Sequence, residues 1–193
     1  VIGTRPDCMS EELLDYLEEL NRRTFLLVEY GVETANDDTL RRICRGHTFA
    51  ESQHAIERTH QRGIRTGAHI IVGLPGESAS ETIAQAPLIS ALPIDILKIH
   101  QLQIIQHTQL AREYREKPFH VYTVDEYMDV MIHYLEQLRP NLVIERFVSQ
   151  SPPQLLIAPQ WGLKNYEFTE KLCKRMRELH TFQGRRHEET SSC

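Results

Sequence analysis

Five ionisable side chains interrupt stretches that otherwise read as buried strands. FLLVEYGVE (25–33) carries Glu29 and Glu33, GAHIIVG (67–73) carries His69, and ILKIHQL (96–102) carries Lys98 and His100. An ionisable group inside a sheet is costly unless it is paired, solvated or bound. Side chains alternate along a strand, so Glu29, Gly31 and Glu33 share one face. His69, Ile71 and Gly73 share another, as do Lys98, His100 and Leu102. One cleft or lumen that receives all these groups satisfies the pattern, and acid–base transfer or polar ligand binding is the chemistry it offers. Each residue also has a plain explanation. A lone strand histidine is commonly a hydrogen-bonded core residue, Glu29 is equally well placed to pair with Lys98 across the sheet, and Gly73-Leu74-Pro75-Gly76 makes a turn. Glycine also lets a flat ligand approach the backbone. The same departure in three strands favours a ligand site.

The elements that position these groups follow from periodicity and caps. Ser10 caps a helix to about Asn21, with Leu13, Leu14, Leu17 and Leu20 on its apolar side. After the strand at 25–32, Asn36 caps a short helix, and a second runs from about Ala50 to Arg62, stopped by Gly63. A strand follows at 64–73. The next helix starts at Ser78 or Ser80 and runs to Leu92, with Pro87 as a kink. A third strand is expected over 94–105, helices over 108–116 and 124–138, a fourth strand over 141–148 and a last helix over 165–179. This alternation predicts an α/β fold with a parallel sheet and outer helices. Ligand sites of such barrels lie at the C-terminal strand ends. No linker divides the chain, so residues 1–180 are expected to form one body and the polar end 181–193 a disordered tail.

The bulk properties exclude several classes. A net charge of −5 argues against a general nucleic-acid surface. No apolar run approaches a membrane span. The four cysteines, Cys8, Cys44, Cys173 and Cys193, lack metal-knuckle or redox-pair spacing and read as reduced, cytoplasmic thiols. His54 and His60 occupy solvent-facing helix spacing, and no HExxH, GxSxG, Walker A or GxGxxG pattern occurs. Tyr127, Met131, Tyr134, Leu135 and Leu138 form a packing stripe. Arg41-Arg42 and Arg185-Arg186 read as solvated surface, with weak RNA contact as the other reading. Val1-Ile2-Gly3 reads as the end of a strand, which predicts a natural start upstream.

GTRPDC (3–8), EYGVETANDDTLRRICRGH (29–47), GLPGE (73–77), KIHQLQII (98–105) and LLIAPQW (155–161) together resemble the C-terminal two-thirds of radical S-adenosylmethionine proteins. The nearest group is a bacterial family of iron–sulfur oxidoreductases related to the elongator catalytic subunit, the methylthiotransferases and oxygen-independent coproporphyrinogen oxidase. The resemblance implies an incomplete (β/α)6 TIM-like barrel whose N-terminal strands are missing. It implies S-adenosylmethionine and a 4Fe–4S cluster as cofactors, a flavodoxin or ferredoxin as reductant, and cleavage to a 5′-deoxyadenosyl radical that abstracts hydrogen. By position, Glu33 falls against the ribose or amino-acid part and Arg45 near the carboxylate. His69 falls near a ribose hydroxyl, Gly73 and Leu74 along the adenine, and His100 and Leu102 by adenine or substrate. The three-cysteine cluster motif is absent, so the chain alone is expected to be inactive. Relatives modify tRNA, proteins and porphyrins, which leaves the substrate open and RNA among the candidates. Without the first strands, FLLVEYGV is expected to be an open edge through which chains self-associate. Two other readings stand beside this one: a non-catalytic scaffold on the same barrel, and a lyase or hydrolase using Glu33 and His69 as an acid–base pair.

Overall fold

In the computed structural model, which describes residues 1–187, the polar strands lie side by side in one parallel sheet. Its order is β1 (Ile2–Thr4), β2 (Leu27–Glu33), β3 (Arg65–Val72), β4 (Ile96–Gln101) and β6 (Val143–Arg146). Helices α1 (Glu11–Asn21), α2 (Asp37–Arg42), α3 (Phe49–Gln61), α4 (Ala79–Ala84), α5 (Ala86–Ala91), α6 (Gln109–Glu116), α7 (Val124–Gln137) and α8 (Asn165–Glu178) connect or follow the strands. Capping fixes their starts. The Ser10 hydroxyl accepts from Leu13 N, and Asn36 Oδ1 accepts from Asp38 N and Thr39 N. Thr48–Glu51, Ser78–Glu81 and Thr123–Glu126 form reciprocal boxes.

The two faces of the sheet differ sharply. Val28, Tyr30, Val32, Ala68, Ile70, Val72, Leu97 and Ile99 are buried in the apolar core with residues of α1, α3, α5 and α7. The opposite face carries the charged strand residues. Two buried tyrosines tie helix to strand: Tyr30 Oη lies 2.6 Å from Thr59 Oγ1, and Tyr127 Oη donates to Phe147 O at 2.6 Å.

Four sequence expectations change. β1 pairs with β2 in register Ile2↔Val28 to Thr4↔Tyr30, so FLLVEYGV is an interior strand and the edge is the three-residue β1. Pro87 ends one helix rather than kinking it: α4 and α5 are separate six-residue helices. The long third strand stops at Gln101. Beyond it the parallel neighbour β6 has ended, so β5 (Ile104–Ile105) satisfies its backbone by antiparallel pairing with β7 (Leu156–Ala158). Residues 181–187, read as the start of a disordered tail, fold across the end of α7. Thr181 bonds the Glu136 carboxylate, Gly184 N donates to Leu135 O at 3.0 Å, and Gln183 Nε2 donates to Leu142 O at 2.8 Å. The remainder of that expected tail, 188–193, lies outside the described residues.

Candidate functional site

The charged face holds two connected groups. In the lower one, Glu29 is paired twice. Lys98 Nζ lies 2.6 Å from Glu29 Oε1, and His69 Nε2 lies 3.2 Å from Glu29 Oε2. Glu29 and Lys98 are two strands apart, and the strand between them presents Gly67 opposite Glu29. A Cβ at Gly67 would stand 3.2 Å from Glu29 Cγ, so the missing side chain is what lets the pair close. Lys98 also reaches Glu145 at 3.0 Å. Burial pushes the Glu29 carboxyl up, but its bonds to Lys98 and His69 outweigh this and hold it below the usual carboxylate range. Burial lowers the Lys98 ammonium, and its two carboxylate partners reverse that into a net rise. The first of the two sequence explanations of Glu29, pairing with Lys98, is therefore the one the structure adopts.

His69 stacks on His100, with ring centroids 5.4 Å apart. Burial lowers the His69 imidazole, opposed by Glu29. His100 is lowered to about 4 by burial, then by the charge of Arg146. Its Nε2 is buried without a hydrogen-bond partner.

The upper group sits where β2 ends. Glu33 has φ +67°, a left-handed conformation costly for a non-glycine residue, at a register break between Gly31 and Glu33. This turns its carboxylate onto Arg45, whose Nη2 lies 3.0 Å from Glu33 Oε1 and 3.0 Å from Gly31 O. A Cβ at Gly31 would stand 2.7 Å from both the Arg45 and Glu33 termini, so the ion pair occupies the space that this glycine leaves. Burial raises the Glu33 carboxyl, with Arg45 opposing. Arg45 Nε is buried and unpartnered. Glu33, Arg45, Leu74, Ile71 and Leu102 line a cleft of about 480 Å³ at the C-terminal mouth of the sheet. Gly31 neighbours His69 in register, which joins the two groups.

The sequence-derived residues thus fall into distinct places. Glu33, Arg45 and Leu74 share the mouth cleft, while His69 and His100 lie deeper on the same face. Gly73 has φ +92°, and a Cβ there would stand 3.1 Å from the Tyr122 ring; its free side faces Tyr122 and an adjoining cleft of about 750 Å³ that shares Leu74 with the first. The Glu33–His69 acid–base pair is not assembled, because Glu33 faces Arg45 and His69 faces Glu29. Arg42 pairs with Glu113 at 3.1 Å and Arg41 with Asp38, all four on the exposed surface. Sequence reasoning left Arg146, Gly31 and Gly67 out of the site. The run NLVIERFV did show polar residues within a strand, but Glu145 and Arg146 are adjacent and only the register decides which of them faces inward.

Two family models cover most of the chain. The Radical SAM superfamily model matches residues 1–85 and the Radical_SAM C-terminal domain model matches residues 94–178. The chain belongs to the radical SAM superfamily. It is 31% identical over 184 residues to the uncharacterised protein YtqA of Bacillus subtilis, covering 95% of this chain and 57% of that relative. It is 26% identical to a tRNA uridine(34) acetyltransferase of Methanocaldococcus infernus, over 91% of this chain and 32% of that one. The solved structure of an archaeal M. infernus Elp3 with an N-terminal deletion superposes with a TM-score of 0.81 at 21% identity, over 94% of this chain and 42% of its own. This radical SAM chain therefore spans about half the length of the relative YtqA, and its α/β fold is that of a partial TIM-like barrel.

The family implies S-adenosylmethionine and a 4Fe–4S cluster, and the described residues fit the two differently. The mouth cleft fits S-adenosylmethionine: it offers an unspent buried guanidinium N–H, a carboxylate and an apolar wall. The cluster has no such match. Cys8, Cys44 and Cys173 are exposed, and among the described residues no three His, Cys, Asp or Glu side chains converge to hold a metal. Among these residues no helix is long and apolar enough to cross a membrane.

Proposed function

We propose that this radical SAM chain forms the S-adenosylmethionine-facing part of a radical SAM enzyme, with the cofactor's amino-acid end at the Glu33–Arg45 pair. The supporting observation is the Arg45 guanidinium. It is half-buried at the mouth of the sheet, it spends one nitrogen on Glu33 and Gly31 O, and it keeps a buried Nε–H free. A carboxylate is the natural acceptor for such a group, since charge-assisted bonds to a guanidinium are the strong ones. Bound S-adenosylmethionine would supply the means of hydrogen abstraction. The chain's own residues bind and orient it. Arg45 takes the carboxylate, and Glu33 accepts from the amino group or ribose. Leu74, Ile71 and Leu102 exclude water from the apolar side of the cleft. His69 is held by Glu29 and presents its ring to His100 rather than to the cleft mouth. A flavodoxin- or ferredoxin-class reductant would serve the whole enzyme. RNA is the substrate class that the acetyltransferase relatives bring forward.

The test uses a polypeptide of the relatives' full length, reconstituted anaerobically with iron and sulfide and given reductant and S-adenosylmethionine. It should form 5′-deoxyadenosine, and Arg45→Gln should lower the yield about tenfold or more, as loss of a charged hydrogen bond predicts. A cluster-loaded protein that forms none would leave the barrel as a binding scaffold and defeat the proposal.

A further inference from the structure

Arg146 is a guanidinium on the polar face that, among the described residues, has no counter-ion. It stands beside Lys98 in the β4–β6 register. Among the described residues it makes no salt bridge and no side-chain hydrogen bond, and its Nε is buried. The nearby carboxylates are already taken, Glu29 by Lys98 and His69, and Glu145 by Lys98. His100 Nε2 is likewise buried and unpartnered. His100 lies two residues beyond Lys98 on the same face of β4 and stacks on His69, so Arg146 and the two imidazoles share one region of the inner face. Buried polar atoms are almost always satisfied in a folded protein, and two left open in one region mark a missing partner.

We infer that Arg146 and His100 form an oxyanion subsite on the inner face of the sheet, which takes a carboxylate or phosphate group of the substrate. A guanidinium fork matches either oxyanion in a bidentate way, and the His100 imidazole, in the tautomer that carries its proton on Nε2, adds a third bond. The subsite is separate from Arg45, which sits at the end of β2, across the sheet from β6. That the anion belongs to the substrate rests on the placement of S-adenosylmethionine at Arg45 proposed above.

The experiment titrates the isotope-labelled chain with inorganic phosphate, and separately with acetate, without S-adenosylmethionine, while following the His69 and His100 imidazole signals. One or both anions should shift His100 saturably. The bound anion should also raise the pH at which His100 protonates, against Arg146, Lys98 and His69, by about one unit. The stronger of the two arms identifies phosphate or carboxylate. Arg146→Gln should weaken the effect about tenfold. Arg146→Lys, which keeps the strand's charge, should weaken it severalfold and serves if the glutamine variant does not fold. Arg45→Gln should leave it unchanged. No saturable shift from either anion, or an undiminished shift without Arg146, would overturn the subsite. Since the readout needs no cofactor, it stands or falls independently of 5′-deoxyadenosine formation.

Discussion

Lys98→Met should destabilise the fold by about 3 kcal/mol, because it leaves the Glu29 carboxylate buried with only His69 beside it. The Glu29 side chain is 7% exposed and that of Lys98 12% exposed, so water cannot replace the lost ammonium cheaply. The figure sits at the lower end for a broken buried pair because His69 can take a proton and compensate in part. The His69 imidazole should accordingly titrate higher in this variant. Removing both charges, as Glu29→Gln with Lys98→Met, should recover most of the loss, since a buried pair contributes little against two neutral groups of similar size. Urea unfolding midpoints of the parent, the single variant and the double variant decide this. A single variant within about 1 kcal/mol of the parent would show the pair to be solvated.

The second large effect is on acid stability. His100 binds its proton at about 4 in the folded chain against 6.5 ordinarily, with burial and then Arg146, His69 and Lys98 opposing the charge. Between these two values the unfolded chain takes up a proton that the folded chain refuses. Stability contributed by the neutral ring is therefore full above pH 6.5 and is lost as pH falls to about 4. The full shift would correspond to a loss of about 3 kcal/mol, and with the ring partly exposed to water the expected loss across that window is about 2 kcal/mol. His69 and His47, both lowered chiefly by burial, act in the same direction. Unfolding midpoints at pH 7 and pH 4.5 should differ most in the parent chain. His100→Gln should remove most of the difference and leave the share due to the other two imidazoles. Equal slopes in parent and variant would contradict the burial of His100.

These effects show what a one-dimensional reading reaches. The polar face was legible because strand side chains alternate, so Glu29, His69, Lys98 and His100 declared themselves wherever an apolar residue was due. The caps at Ser10 and Asn36 were legible because a short oxygen-bearing side chain before an apolar run has one good use. What stayed hidden depends on register. Gly67 reads as an ordinary strand glycine until Glu29 and Lys98 are seen to meet across it. Gly31 is likewise ordinary until Arg45 is found in its vacant space. The edge was misassigned to FLLVEYGV because three residues, Ile2–Thr4, are a weak strand signal until their partner is known. Residues 181–187 are polar, and polarity alone does not reveal that Thr181 and Gln183 bond the end of α7 and the carbonyls just beyond it.

The central claim is that Arg45, set in the space above Gly31, receives the carboxylate of S-adenosylmethionine. It is tested most directly by titrating the chain with methyl-labelled S-adenosylmethionine and following the labelled signal in the parent and in Gly31→Ala. The added Cβ would meet only the ends of two flexible side chains, so the fold should survive while the Glu33–Arg45 pair is displaced. Saturable binding in the parent, weakened about tenfold in Gly31→Ala with an unchanged unfolding midpoint, is the expected result. Binding that ignores the substitution, or none in the parent, would contradict the assignment of this cleft.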